Sequence, residues 1–131
     1  MRPNQLQFYM NIAEDVAKRS TCKRMQVGSL VLNEDLTQIG SIGYNGNYSG
    51  GPNTCESNEP GSCGCIHSEC NALIKAGGNN RATMFITHFP CRTCCKLIVN
   101  AGIFKIYYRK KYREMSGKKI LKSSGIKIIK L

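Results

Sequence analysis

No stretch of the sequence approaches the ~20 consecutive apolar residues that a helical membrane span requires, so nothing in its 131 residues reads as a spanning helix. The N-terminal run MRPNQLQFYMNIAEDV is broken by polar residues before any apolar stretch reaches signal-peptide length, and a cytoplasmic protein is expected. Internal repeats are missing too, which excludes a solenoid or array. Acidic residues are scarce at one end: residues 92–131 hold 1 Asp or Glu against 12 Lys and Arg, whereas residues 1–91 hold 7 of each class. The whole net charge of +11 therefore arises in the last third. Such a field draws phosphate groups, on a nucleotide or on nucleic acid, but a merely solvated basic surface has the same composition. A chain of this length closes one hydrophobic core and is too short for two ordinary domains, so residues 1–131 are expected to form a single domain.

What the sequence has in abundance is cysteine, with 8 residues. Without an export signal the compartment is expected to be reducing, where clustered cysteines bind metal or do chemistry more often than they pair as disulfides.

Apolar Leu6, Tyr9, Ala13, Val16 and Ala17 recur at steps of three and four, which predicts a helix over residues 4–20. Two β-type runs, 27–32 and 37–44, flank a polar Asn33-Glu34-Asp35 turn and read as a hairpin. Residues 45–65 then hold five glycines and two prolines, too many breakers for a regular element; a loop this long is usually functional or pinned by something. IHSECNALIKAGG predicts a helix ending at Gly77-Gly78, residues 83–87 a strand, and PCRTCCKLIVNAG a helix with Pro90 in its first turn and Gly102 closing it. A strand over 103–108, a short helix over 116–124 and a last strand, IKIIK, complete the order α-β-β-α-β-α-β-α-β. This is an α/β pattern: a sheet of about five strands flanked by helices, with crossovers implying parallel pairs beside the hairpin.

Chemistry concentrates in SCGCIHSEC (62–70) and in Pro90-Cys91-Arg92-Thr93-Cys94. Cys91 and Cys94 are three apart at a helix start, so both point the same way, and His67 opens the other helix. If the two helix N-termini meet at one end of the sheet, His67, Cys91 and Cys94 share one ion and leave a fourth position to water, as in a catalytic zinc site. Converging helix dipoles would favour the thiolates. Glu69 is then left over as the acid, within reach of that water. The bland alternative is a closed structural Cys/His site in which Glu69 only caps a helix.

H-x-E followed by P-C-x-x-C is the signature of the zinc-dependent deaminases of nucleobases, in which the acid shuttles protons while water displaces an amine. The resemblance goes further. STCKRMQVGSLV, GYNG (43–46), IHSECNAL (66–73) and FPCRTC (89–94) occur in the order seen in deoxycytidylate (dCMP) deaminases, over about residues 5–130, and the sequence is similar to that family. The resemblance implies a three-layer α/β/α sandwich of the cytidine deaminase-like kind, a homo-oligomer that is often a hexamer, and hydrolysis of dCMP to dUMP with dCTP as activator and dTTP as inhibitor. It leaves open dCTP or deoxycytidine as further substrates.

By position, the resemblance implies that Asn45 bonds the nucleotide's sugar or base, that Arg24 meets the 5′-phosphate, and that Tyr112 lies on the substrate side. For Asn45 a turn role, and for Arg24 a solvated surface charge, are the plain alternatives. The segment around Tyr112 departs from the acidic pattern common in the family. Gly46, Asn47 and Gly50 fall where family members bind the regulatory triphosphate, which would bring Mg²⁺ with it, although NYSGGPN differs from the family's early-proline form of this loop. Ser68 stands where alanine is usual.

Cys22, Cys55, Cys63 and Cys65 could form a closed Cys₄ site pinning the glycine-rich loop, and many dCMP deaminases are similar in having a second, structural zinc here. The alternative is four free thiols. Cys70 and Cys95 read as core residues and His88 as a loop histidine near the pocket. A rival reading is a deaminase of tRNA or single-stranded DNA, because YYRKKYR interleaves aromatics with positive charge; GYNG argues against it, and nucleic acid is not the expected partner. A third reading is a non-catalytic module stapled by zinc.

Overall fold

A computed structural model describes residues 1–59, 61–77 and 81–131. Its elements in chain order are α1 (Gln5–Ala17), β1 (Gly28–Leu32), β2 (Ile39–Tyr44), α2 (Ser68–Ala76), β3 (Ala82–His88), α3 (Arg92–Asn100), β4 (Ile103–Lys110), α4 (Lys118–Ser123) and β5 (Lys127–Lys130). The sheet order is β2-β1-β3-β4-β5. β1 is antiparallel to both β2 and β3, while β3, β4 and β5 run parallel. The expected order of elements, the hairpin and the parallel crossovers are all present.

Alternation along the strands sorts the core into two layers. Leu30, Leu32, Phe85 and Tyr107 face α1 and pack with its Met10 and Ala13. Val31, Met84, Ile86, Ile106 and Tyr108 face the opposite side, where Ala72 of α2, Ile98 of α3 and Leu121 of α4 cover them. The sheet is therefore sandwiched between helices, the three-layer arrangement expected. α3 and α4 lie on one face because each returns the chain to the next parallel strand by a crossover of the same hand.

Two differences from the expected boundaries have local causes. Pro90 is not in the first turn of α3; Cys91 is the N-cap, its Sγ accepting the Cys94 N–H at 3.5 Å. A thiol in that place leaves proline one residue outside the helix. α1 begins one residue late because Asn4 caps it, its Oδ1 accepting from the N–H groups of Leu6 and Gln7. The predicted α2 stop at Gly77 is observed, with Gly77 in the left-handed region at φ 77°; Gly78 lies outside the described residues.

Two glycines bring helices onto the sheet. A Cβ on Gly28 would stand 2.1 Å from the Ala13 carbonyl oxygen, and one on Gly43 would stand 2.3 Å from that of Ser68 and 2.6 Å from the Ala72 nitrogen. Gly43→Ala is therefore expected to push α2 off β2 and lower stability by about 1–3 kcal/mol, the usual cost of overpacking, seen as a lower urea midpoint.

Candidate active site

The strand directions gather one set of chain ends. β2 and β3 finish, and β1 begins, at the same edge of the sheet, so the segment before β1, the long loop after β2 and the turn after β3 meet there. α2 and α3 start at this edge. Ligands in open α/β sheets bind at such carboxyl ends.

α2 is fastened to β2 by a row of side chains. The Ser68 hydroxyl donates to the Gly43 carbonyl at 2.8 Å and lies 2.6 Å from Ser29 Oγ. Ser41 Oγ donates to the Ala72 carbonyl and Asn71 Nδ2 to that of Tyr44. Just before the helix, Gly46 and Ile66 exchange both backbone hydrogen bonds. His67, at the N-cap, is thus held on rigid neighbours, and so is Glu69 in the first turn.

His67 Nδ1 lies 3.5 Å from Cys91 Sγ and 3.3 Å from Cys94 Sγ. The ligand atoms of these three residues lie within 4.8 Å of one another; His67 is exposed, Cys91 intermediate and Cys94 buried, so the group opens towards the cleft. One imidazole nitrogen and two sulfurs fit a borderline-soft ion, and three protein donors with an open side are the complement of a catalytic zinc site. The hydrogen bond of Cys91 to Cys94, then that to His67, brings its thiol down to about 4, while the same contact and burial push Cys94 up. The contact with Cys91 raises His67. Glu69 is 5% exposed. Its burial pushes the carboxyl up to about 7, against the opposing effects of its backbone N–H and His67.

The cleft above this group is lined by Arg24, Asn45, Glu69, His88, Phe89 and Tyr112, among others. Arg24 Nε is buried without a hydrogen-bond partner. Asn45 is buried, and its side chain is used locally: Oδ1 accepts from the Val27 N–H at 2.9 Å, and Nδ2 donates to the Met25 carbonyl at 2.7 Å. It fixes the segment that carries Arg24. Tyr112 is half-buried, with the Arg113 guanidinium 5.4 Å from its ring centre. Sequence reasoning missed the fastening by Ser29, Ser41 and Asn71, and the Met25, Val27 and Phe89 walls; only Gly43 left a trace, as the first residue of GYNG.

All eight cysteines are free. Cys22, Cys63 and Cys65 place their sulfurs within 4.8 Å of one another, and Cys55 Sγ lies 3.6 Å from that of Cys65. The Lys23 N–H donates to Cys55 Sγ, which lowers that thiol, whereas burial raises Cys22 and Cys65. The structure thus brings these four residues together, and Cys22, Cys63 and Cys65 line the same cleft. Cys95 is fully buried against α4's start, and Cys70 is half-buried. Gly46 is buried with both backbone groups committed to Ile66; Asn47 Oδ1 accepts from the Tyr48 N–H; Gly50 is exposed at φ 83°. None of these three lines the cleft. Among the described residues no helix is long and apolar enough to cross a membrane.

A mixed five-stranded sheet with a histidine, two cysteines and a buried glutamate at two converging helix starts defines the class of zinc-site deaminase folds. Residues 3–110 match the family model for the cytidine and deoxycytidylate deaminase zinc-binding region, and the chain belongs to that family. It is 34% identical to the deoxycytidylate deaminase of Saccharomyces cerevisiae over 98% of its own length and 45% of the yeast protein. It is 31% identical to that of Mycobacterium phage D29, over 83% of this chain and 97% of the phage protein. The dCMP deaminase of cyanophage S-TIM5, solved in complex with dCMP and dUMP, superposes with a TM-score of 0.86 at 37% identity, covering 100% of this chain and 99% of that one. The chain spans about half the length of the first curated relatives it matches, 45% of the yeast protein and 60% of Bacillus subtilis ComE operon protein 2.

Proposed function

We propose that this chain, acting as one deaminase domain over residues 1–131, hydrolyses dCMP to dUMP and ammonia. The observation that carries the reading is the buried Glu69 beside the converged His67, Cys91 and Cys94, in a cleft also lined by Arg24, whose buried Nε has no protein partner. The cyanophage relative solved with dCMP and dUMP supports the choice of substrate.

When held by His67, Cys91 and Cys94, zinc supplies the Lewis acidity that makes water a nucleophile near neutral pH. Glu69 moves the protons. Its carboxylate takes one from the attacking water and delivers it to ring N3 as the bond from C4 to oxygen forms; it then carries the proton of the new C4 hydroxyl to the exocyclic amine, and the bond from C4 to nitrogen breaks to release ammonia and leave the C4 carbonyl. Arg24 holds the 5′-phosphate, since a guanidinium can bond two of its oxygens. Asn45 keeps Arg24's segment in place, and its remaining amide hydrogen serves the nucleotide. Tyr112 covers the substrate.

At a finer level, the four-cysteine group holds a second, structural zinc, dCTP is a candidate second substrate, and dCTP and dTTP, with Mg²⁺, act through the loop carrying Gly46, Asn47 and Gly50. Exposed Ile39, Ile42 and Ile74 offer apolar surface for a homo-oligomer, a hexamer on this reading, in the cytoplasm.

A product assay offering dCMP, dCTP, CMP, deoxycytidine and a cytosine-containing oligonucleotide to purified protein, with zinc measured on the same sample, tests the proposal. dCMP is expected to be consumed fastest. Preference for the oligonucleotide, with affinity falling steeply as salt rises, would overturn it in favour of a strand deaminase. Arg24→Ala is expected to raise KM for dCMP by about 10–100-fold, the scale of a charge-assisted hydrogen bond, and to leave KM for deoxycytidine unchanged.

A further inference from the structure

His88 ends β3, between the approach to β1 on one side and the exit of β4 on the other, in register with Lys110. It lines the cleft with Arg24, Glu69 and Tyr112. Its neighbour Thr87 is fully buried. The Gly28 N–H donates to Thr87 Oγ1 at 3.2 Å, and His88 Nδ1 lies 2.9 Å from the same oxygen. A backbone N–H only donates, so the oxygen accepts there, and the hydroxyl's own proton needs an acceptor, because a buried O–H left unpaired is costly. Among the hydrogen bonds of the described residues, His88 Nδ1 is the acceptor within reach. A ring nitrogen that accepts carries no hydrogen, so the neutral imidazole bears it on Nε2. Burial, and then Lys110, hold the His88 pKa below its usual value against Glu14, which keeps the ring neutral.

We propose that Thr87 holds His88 as the Nε2–H tautomer and that this hydrogen is donated to a 5′-phosphate oxygen of the bound nucleotide, as a second prong beside Arg24. The proposal rests on the deoxynucleotide reading given above. The phosphate is the partner of choice because the cations around His88 are Arg24, whose Nε has no protein partner, and Lys110. A neutral donor of fixed direction adds a bond to the dianion without repelling Arg24. His88 then touches the substrate, and Thr87 is a positioning residue that acts through it.

The chain has 2 histidines, so ring nitrogen resonances of the zinc-loaded protein are assigned with a single His88→Gln variant. Long-range proton–nitrogen spectra are expected to show His88 as Nε2–H in the wild type and in Thr87→Ser, which keeps the hydroxyl, and as a tautomer mixture in Thr87→Val. In calorimetric titrations, His88→Ala is expected to weaken dUMP about tenfold, the worth of one hydrogen bond to a charged group, and to leave deoxyuridine unchanged. His88→Gln, which returns an N–H near the Nε2 position, should recover most of the loss. A wild-type Nδ1–H tautomer, an equal loss for dUMP and deoxyuridine, or no loss for dUMP would each overturn the proposal. These readouts need no turnover, so absence of dCMP deamination in the wild type would sink the deaminase reading by itself.

Discussion

Glu69→Gln is expected to lower kcat for dCMP by about 10²–10⁴-fold, the range for loss of a positioned general acid–base, while zinc bound per chain stays the same. The two halves of this expectation have different structural origins. Glutamine matches glutamate in size, so the buried first turn of α2 keeps its packing, and His67, Cys91 and Cys94 keep the metal donors. What glutamine lacks is a group that can take a proton from water and give it up again, which each turnover requires more than once. Burial of Glu69 sharpens the effect, because little bulk water is present to replace the shuttle. Zinc content by elemental analysis and product formation by chromatography on the same preparation make the test. An unchanged kcat with metal in place would reduce Glu69 to a helix residue and the protein to a zinc-stapled module; loss of metal with activity would make it a ligand instead.

Much of this site was legible in the sequence because its chemistry is carried by spacing. The three-residue step from Cys91 to Cys94 fixes both thiols at one helix start, whatever the rest of the chain does. The glycine-rich loop announced that something other than regular structure must order residues 45–65, and the sulfurs of Cys22, Cys55, Cys63 and Cys65 do converge there. The fold class followed from alternation of strand and helix patterns. What periodicity could not give was the antiparallel seam of β1 with β3, since pairing partners depend on side-chain contacts between distant segments.

What the sequence left unseen has the same cause. The sequence shows Asn45 as a candidate substrate contact but not that its amide also ties down Met25 and Val27, eighteen to twenty residues earlier in the chain. Ser68 stands where alanine is usual in the family, and nothing near it in sequence shows that its hydroxyl joins Gly43 and Ser29 in a buried knot at the head of α2. His88 reads as a loop histidine, because nothing local shows that the Thr87 hydroxyl joins its ring to the Gly28 N–H. Each of these is a polar side chain whose partner is remote in sequence, and hydrogen-bond accounting of that kind needs the fold first.

If the four-cysteine group holds the second zinc proposed above, Cys65→Ser is expected to halve the zinc content, from two ions per chain to one, and to leave the loop over residues 45–65 open to proteolysis. Cys65 is the sulfur that links the group, lying 3.6 Å from that of Cys55 and beside those of Cys22 and Cys63. A serine oxygen is a poor substitute for a thiolate on a soft-leaning ion, and three remaining donors do not close a structural site. Among the described residues the loop has little else to order it: the Glu56 N–H to Cys63 carbonyl bond, the Gly46–Ile66 bridge and the Lys23 N–H to Cys55 are its main ties. Since binding free energy at a structural zinc, about 10–16 kcal/mol in small domains, is largely folding free energy, its loss should lower the melting temperature by many degrees. The consequence reaches the cleft. Cys22 is two residues from Arg24, so the variant should also weaken dUMP while His67, Cys91 and Cys94 still retain their own ion. A wild-type chain that binds a single zinc, or a variant with unaltered zinc content and protease resistance, would show that the four thiols act only as buried apolar side chains.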